Sequence, residues 1–196
     1  MLGDVDVRGY FRDYRRHVRG HRREVTDEHL VAVCADADLV YVGEFHPLVA
    51  CQRFAADLLT NLASRGRPTI LGVEFVYTRQ QPLLDRRQSG ELDDVSFLRR
   101  SHYREEWGYP WEGYRELLDR ARILGVPARA LDATPRAGVG ALRRRDEHAA
   151  RQIEALVDRH PSARIVVLFG ESHLSPNHIP GRVRAKLGRK GITRRA

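Results

Sequence analysis

A short motif, Gly-Glu-x-His, occurs twice in the chain, and each copy directly follows a run of apolar residues. The first copy spans residues 43–46 and the second spans residues 170–173. The preceding runs, residues 39–42 and 164–169, are short, rich in β-branched side chains and nearly uncharged. Such runs are typical of strands that are buried on both faces, as in a parallel sheet. The motif therefore predicts two buried strands that each lead into a polar segment.

The glutamate and the histidine of each motif are two residues apart, so they share a face if the segment is extended. Glu44 and His46 would then point the same way, and so would Glu171 and His173. A carboxylate beside an imidazole can bind a divalent metal ion, or it can hold the imidazole as a general base. The repeated pair is the main functional signal in the sequence.

Two further strands are predicted between the motifs, and each is also followed by an acidic residue. Residues 69–73 form a strand that Glu74 closes, and residues 126–131 form one that Asp132 follows. The carboxyl ends of parallel strands lie along one edge of an open sheet, where ligands bind in such folds. Five side chains are therefore expected to converge at this edge: Glu44, His46, Glu74, Glu171 and His173.

Segments with helical spacing of apolar residues alternate with these strands. The predicted helices cover residues 48–65, 111–125 and 141–160. This alternation indicates βαβ units, so the predicted fold class is α/β, with a mainly parallel sheet flanked by helices. The polar segment 78–109 is predicted to form further helices above the sheet, as an inserted helical lid.

Basic residues outnumber acidic ones by 34 to 26, and the formal net charge is +8. Much of the excess lies near the N-terminus, at Arg8, Arg12, Arg15, Arg16, Arg19, Arg22 and Arg23. Residues 1–36 are therefore predicted to be a basic helical arm, and residues 37–196 the α/β domain. An Arg-rich arm suits an anionic partner. No nucleic-acid-binding motif accompanies the charge, so no specific nucleic acid is expected.

The sequence also limits location and redox chemistry. Cys34 and Cys51 fit neither a zinc spacing nor a disulfide framework, so reduced thiols are expected. No apolar run approaches the ~20 residues of a membrane span, and no signal peptide is visible. A cytoplasmic location is expected, or the envelope if the chain was trimmed. Residues 191–193 have the character of the approach to a strand, which predicts that a C-terminal strand or domain is missing.

Several segments together resemble the ChaN-like proteins, which belong with Tiki proteases, TraB proteins and erythromycin esterases. The resemblance covers roughly residues 38–181. It rests on both Gly-Glu-x-His motifs, on a Trp/Tyr helix that leads into a strand, and on these residues between and beyond the motifs: Gln52, Val73-Glu74-Phe75, Trp111, Tyr114, Leu174, Pro176 and Pro180.

The resemblance implies an α/β sheet with inserted helices, and it implies two different activities. Tiki-like members are metal-dependent hydrolases that use paired Gly-x-x-His motifs, and esterase members use the corresponding histidine and glutamate to activate water. Some ChaN members are haem-binding envelope proteins linked to iron uptake. Many of those carry a lipoprotein signal, which is not visible here. Carried over to this chain, the site would consist of Glu44, His46, Glu74, Glu171 and His173.

The leading hypothesis is an enzyme that hydrolyses an ester or amide in a small-molecule or peptide substrate. Glu44, His46, Glu74 and His173 would be catalytic, and the same residues with Glu171 would ligate a divalent cation. Two imidazoles with carboxylates suit Mn, Fe, Co or Zn. A metal-bound water has its pKa lowered towards ~7. Without a metal ion, His46 would be the general base.

The alternative hypothesis is a haem-binding protein of iron uptake or storage without catalytic activity. Trp107 and Trp111 would then wall a flat apolar ligand. The candidate axial ligands are the site histidines together with His102, Tyr103 and Tyr109. A third possibility, an inactive scaffold with a basic docking face, accounts for the arginine excess but leaves the repeated motif unexplained.

Overall fold

The protein is represented by a computed structural model that describes residues 2–19, 24–134, 136–137 and 140–196, with the backbone alone for residues 2–6 and 18. Arg22 and Arg23 of the predicted basic arm lie outside the described residues. Four strands form a single parallel sheet in the order β1-β4-β2-β3. They are β1 (Leu39–Glu44), β2 (Thr69–Tyr77), β3 (Ala128–Asp132) and β4 (Arg164–Gly170). The predicted α/β fold with a parallel sheet is confirmed.

The register of the sheet places the two Gly-Glu-x-His motifs side by side. β1 pairs with β4 along its whole length, from Leu39 opposite Ile165 to Glu44 opposite Gly170. β2 pairs with the other side of β4. β4 is an interior strand and is buried at every position, as its nearly uncharged run predicted. The two loops that follow β1 and β4 therefore leave the sheet at neighbouring points.

β2 extends further than the sequence predicted, to Tyr77 rather than to Val73. Glu74 therefore lies within the strand and not after its end. The pairing of β2 with β3 shifts in register between Val73 and Tyr77, which is the stretch that contains Glu74. A carboxylate can occupy this buried stretch because it has hydrogen-bond partners from other elements, as described below.

Nine helices surround the sheet in the described part of the chain, together with short 3₁₀ turns at Thr78–Gln80 and Glu171–Leu174. The helices are α1 (Leu2–Arg19), α2 (Asp27–Asp36), α3 (Val49–Ala63), α4 (Gln81–Ser89), α5 (Asp94–Arg100), α6 (Tyr103–Glu106), α7 (Trp111–Ile123), α8 (Ala141–Arg159) and α9 (Ile179–Arg189). As predicted, the segment 78–109 is helical. None of the described helices has the length and apolar character needed to cross a bilayer.

The sheet separates two apolar cores. On one face, α3 and α7 pack together and contribute residues such as Leu59 and Leu117, and the helices of segment 78–109 complete this layer with Phe97. On the other face, α8 and α9 pack together and contribute Ile153 and Val183. Both faces of the sheet are therefore covered, as the nearly uncharged strands require.

The C-terminal residues return to the edge of the sheet without forming a strand. The carbonyl oxygen of Arg195 accepts hydrogen bonds from the N–H groups of Asp38 and Leu39, at 2.9 and 3.0 Å. The predicted strand approach at residues 191–193 is therefore a coil segment that lies near the start of β1.

Candidate functional site

Glu74 lies at the centre of the candidate site, and two histidines face its carboxylate. Nε2 of His46 is 3.9 Å from Oε2 of Glu74, and Nε2 of His173 is 3.8 Å from Oε1. The backbone N–H of Gly170 donates to Oε2 at 2.5 Å. The two motifs therefore bring one imidazole each to the two oxygens of a single buried carboxylate.

His46 is held from behind by Glu44. Nδ1 of His46 lies 2.9 Å from Oε1 of Glu44, which is itself buried. The hydroxyl of Tyr114 donates to the same oxygen at 3.1 Å, and the side-chain amide of Gln52 donates to the other oxygen. Because a carboxylate accepts hydrogen bonds, it favours the tautomer of His46 that carries its proton on Nδ1. Nε2 is then left as the acceptor that faces Glu74.

His173 has an equivalent arrangement on the other side of the site. Its Nδ1 lies 2.5 Å from Oδ1 of Asp146, a residue of α8. The hydroxyl of Tyr10 lies 2.8 Å from the same nitrogen and donates to Asp146 at 3.1 Å. Burial and the negative charge of Asp146 raise the pKa of Tyr10 well above its usual value, so its hydroxyl remains a donor. Both histidines therefore direct Nε2 towards Glu74.

The charges around the site shift two pKa values in opposite directions. Burial lowers the pKa of His46, but its hydrogen bond to Glu44 and the charge on Glu74 outweigh burial and raise it. Burial raises the pKa of Glu74, but His173, Arg145 and His46 outweigh burial and lower it. Glu74 is therefore ionised at neutral pH, and His46 holds a proton more readily than an ordinary histidine.

A buried guanidinium connects Glu74 to the end of β3. Arg145 of α8 bonds to Glu74, and it also donates to both oxygens of Asp132, at 2.8 and 3.1 Å. Arg136 donates to Asp132 at 2.8 Å and to the backbone carbonyl of Glu74 at 3.0 Å. Asp132 thus orients the arginines and does not face the histidines directly.

The charge balance of the site suits a bound cation. Four buried carboxylates belong to this network: Glu44, Glu74, Asp132 and Asp146. Among the described residues, the guanidiniums bonded to them are those of Arg136 and Arg145, which gives this described network a formal excess of two negative charges. Either a divalent cation or protonated imidazoles would neutralise this excess.

The donor atoms are also of the right kind and proximity for a metal ion. Glu44, His46 and Glu74 each offer one ligand atom within 4.8 Å of the others. His173 adds a second imidazole nitrogen on the other side of Glu74. Nitrogen and carboxylate donors of this kind suit Zn, Mn, Fe or Co, so the residues fit the divalent ion that the sequence predicted.

Glu171 does not join this group, although the sequence placed it there. Residues Glu171–Leu174 form a 3₁₀ turn and not an extended segment, so side chains two positions apart do not share a face. Glu171 is exposed and accepts a hydrogen bond from Tyr14, which with burial raises the pKa of that tyrosine to about 12. The site therefore contains Glu44, His46, Glu74 and His173, with Glu171 outside it.

Four residues of the site were missed in the sequence: Tyr10, Arg136, Arg145 and Asp146. The two on α8 gave a signal, because Asp146 is spaced like a member of the apolar stripe that includes Ala149, Ala150 and Ile153. A charged residue at such a position must be paired when the helix packs. Tyr10 gave no comparable signal.

An aromatic groove borders the site on the side of His46. The ring centroids of Trp107 and Tyr109 lie 4.5 and 4.9 Å from the centroid of the His46 imidazole. Next to them is a cavity of about 630 Å³, whose lining includes His102, Tyr103, Tyr109 and Trp111. The hydroxyl of Tyr103 is buried without a hydrogen-bond partner in the described structure. Trp107 and Tyr109 thus contact His46, and the other residues proposed for haem line the cavity next to them.

A parallel α/β sheet with paired carboxylate–histidine dyads near the carboxyl ends of its strands defines the class of this protein. The family model described as "Haem-binding uptake, Tiki superfamily, ChaN" matches residues 30–159, and the chain belongs to this family. The resemblance found in the sequence is therefore confirmed. No curated protein matches the sequence significantly.

Solved structures show the same fold. ChaN of Campylobacter jejuni, described for cofacial haem binding, is 12% identical with a TM-score of 0.64, over 88% of this chain and 84% of that chain. The type III effector HopBA1 is 17% identical with a TM-score of 0.60, over 74% and 71%. RRSP, a MARTX toxin effector domain from Vibrio vulnificus CMCP6, is 23% identical with a TM-score of 0.58, over 82% of this chain and 34% of that chain. At these identities the similarity shows the fold alone.

Proposed function

We propose that the protein hydrolyses an ester or amide bond with His46 as the general base. One observation carries the proposal: both imidazoles have Nδ1 on a buried carboxylate and Nε2 directed at Glu74. A structural histidine needs only one partner, whereas two oriented imidazoles around one carboxylate form a site that can bind and activate water.

The residues of the chain support a simple course for the proton. Nε2 of His46 accepts a proton from water as the water oxygen bonds to the substrate carbonyl carbon. Glu44 and Glu74 stabilise the resulting imidazolium by charge, consistent with the raised pKa of His46. The bond from the carbonyl carbon to the leaving group then breaks. The imidazolium gives its proton to the leaving atom, which is oxygen in an ester and nitrogen in an amide. His173 is too buried to meet a substrate, so it positions Glu74.

A divalent cation would be held by Glu44, His46 and Glu74, whose ligand atoms lie within 4.8 Å of one another, and it would lower the pKa of a bound water towards ~7. The choice between metal-assisted and His/Glu-assisted hydrolysis is open to direct measurement. Metal content by elemental analysis, before and after chelation, gives the stoichiometry. Activity restored by Zn, Mn, Fe or Co after chelation supports the metal-assisted form.

The experiment uses a panel of chromogenic esters and anilides with the purified chain. His46→Gln and Glu74→Gln are each expected to lower kcat by a factor of about 10²–10⁴. His29→Gln is the matched control, because His29 is an exposed histidine of α2 outside the site. Hydrolysis by the wild type that persists undiminished in His46→Gln would refute the proposal.

Haem binding is the second candidate function, and the aromatic groove supports it. Tyr103 and Tyr109 line the cavity, and Trp107 packs edge-on to His46 beside it. A solved relative in this fold binds haem cofacially according to its description. Haem titration followed by the Soret band tests this candidate. A tight complex that survives His46→Gln and His173→Gln but is lost in Tyr103→Phe or Tyr109→Phe favours the haem protein.

A further inference from the structure

α1 has two faces of different character, and its inner face contacts the second motif. Tyr10 is 3% exposed, bonds to Asp146 and His173, and stacks on the ring of His178 at 3.8 Å. Asp13, Tyr14 and His17 continue this face and are half-buried. Their spacing of three and four residues places them on one side of the helix. The helix is therefore held on the domain in a fixed orientation.

The outer face of α1 carries a line of exposed arginines. Arg8, Arg12, Arg15 and Arg19 follow the helical repeat and are all exposed. None of these four has a hydrogen bond or an ion pair to any residue that the structure describes. Arg16 lies 3.9 Å from Asp13, in a pair whose side chains are 74% and 38% exposed. Positive charge is therefore uncompensated along the outer face.

Exposed arginines elsewhere in the described chain have a different distribution. Several are paired with acidic neighbours, such as Arg53 with Glu116 and Arg151 with Glu147. Those without such a pair, for example Arg65 just beyond α3 and Arg122 in α7, lie on different elements. Only α1 aligns four of them on one helix face among the described residues. The alignment indicates a surface that meets an extended anion rather than an ordinary solvated face.

Two apolar side chains lie among these arginines, and they help to distinguish which kind of anionic partner this face suits. Val7 is 41% exposed and Phe11 is 38% exposed. A helix with arginines along a face that also exposes an aromatic side chain suits the boundary between lipid headgroups and acyl chains. A nucleic-acid backbone offers phosphates but no apolar layer for a valine and a phenylalanine. We propose that the outer face of α1 binds the surface of an anionic phospholipid bilayer. This proposal does not depend on the proposed reaction.

Vesicle sedimentation with the full chain tests the proposal. The probes are neutral phosphatidylcholine vesicles and vesicles that also contain phosphatidylserine, in low and high salt. We expect binding only to the anionic vesicles, with strong weakening at high salt because the Debye length shortens. Each basic residue near such a surface contributes about fivefold in affinity. Arg8→Gln/Arg12→Gln/Arg15→Gln should therefore weaken binding about a hundredfold.

A matched triple variant separates the face from the net charge. Arg65→Gln/Arg115→Gln/Arg122→Gln removes the same charge from exposed positions on other elements, so we expect vesicle binding to change little. Phe11→Ser keeps every charge and should weaken vesicle binding about tenfold. We expect each variant to fold, because the changes leave the inner face of α1 intact. Far-UV circular dichroism checks this expectation.

Three outcomes would overturn the proposal. The first is equal binding to neutral and anionic vesicles, or no binding to either. The second is an equal loss in the two triple variants, which would assign the effect to net charge alone. The third is tighter binding to duplex DNA than to anionic vesicles without an effect of Phe11→Ser, which would assign the face to nucleic acid.

Discussion

Replacing Arg145 with methionine is expected to lower the free energy of unfolding by about 3–5 kcal/mol at neutral pH. The side chain of Arg145 is 7% exposed, and its guanidinium bonds to the buried carboxylates of Glu74 and Asp132. Methionine retains much of the aliphatic volume, so little of the loss comes from a cavity. The cost arises because Glu74 loses its guanidinium partner and Asp132 loses one of its two described guanidinium partners, keeping Arg136.

The loss should depend on pH, because Glu74 stabilises the fold in its ionised form. Burial raises the pKa of Glu74, but the charges of His173, Arg145 and His46 lower it further than burial raises it. A carboxyl group whose pKa is lower in the folded state contributes stability above its unfolded pKa of about 4.3. That contribution disappears as the pH falls through the folded pKa. The difference between wild type and variant should therefore be largest at pH 7 and smaller below about pH 4.

Urea unfolding followed by far-UV circular dichroism measures this difference at both pH values, with the m-value as a check on two-state behaviour. Arg151→Met is the matched control on the same helix. Its ion pair with Glu147 spans 3.5 Å between groups that are 53% and 35% exposed, so its loss should cost only about 0.5 kcal/mol. A cost for Arg145→Met as small as this control, or one that does not decrease as the pH falls from 7 to well below 4, would show that the network is not the source of the stability.

Three further predictions concern the two dyads. Gly170→Ala should reduce hydrolysis at least tenfold while the fold persists, because the new Cβ would lie 3.0 Å from the imidazole of His46. Steady-state kinetics measure the loss of hydrolysis, and circular dichroism measures whether the fold persists. Tyr10→Phe should lower the free energy of unfolding by about 1 kcal/mol, measured in urea, because Asp146 loses a buried donor. The kcat/KM for hydrolysis should fall as the pH drops through the pKa of His46, which is raised above its ordinary value of ~6.5. In Glu44→Gln this fall should occur at lower pH, because the hydrogen bond to Glu44 helps to raise that pKa.

The sheet could be predicted from the sequence because burial on both faces leaves few charges in a strand. The runs that begin at residues 39, 69 and 164 start where the strands start. The end of β2 could not be predicted in this way, because the charged Glu74 interrupts the apolar run and so predicts that the strand ends before it. Its place inside the strand depends on Arg145 and on the N–H of Gly170, which are distant in sequence. The pattern of residues within a short stretch of sequence does not identify partners that are so distant.

The site shows the same division between local and distant information. The convergence of His46 and His173 on Glu74 follows from the topology of a parallel sheet, which the alternation of elements already indicated. The position of Glu171 depends on whether four residues form a 3₁₀ turn or an extended segment, and the motif alone does not distinguish these. Asp146 required the apolar stripe of α8 to be examined for charged members.

The two dyads are alike in chemistry but differ in access, and this difference assigns their roles. The side chain of His46 is 21% exposed and lies beside the aromatic groove, whereas that of His173 is 5% exposed and is covered by Tyr10. Of the two imidazoles, that of His46 is therefore the more accessible to solvent. The proposed hydrolysis involves the covered dyad as well as the open one, because His173 faces the same carboxylate, Glu74, as His46.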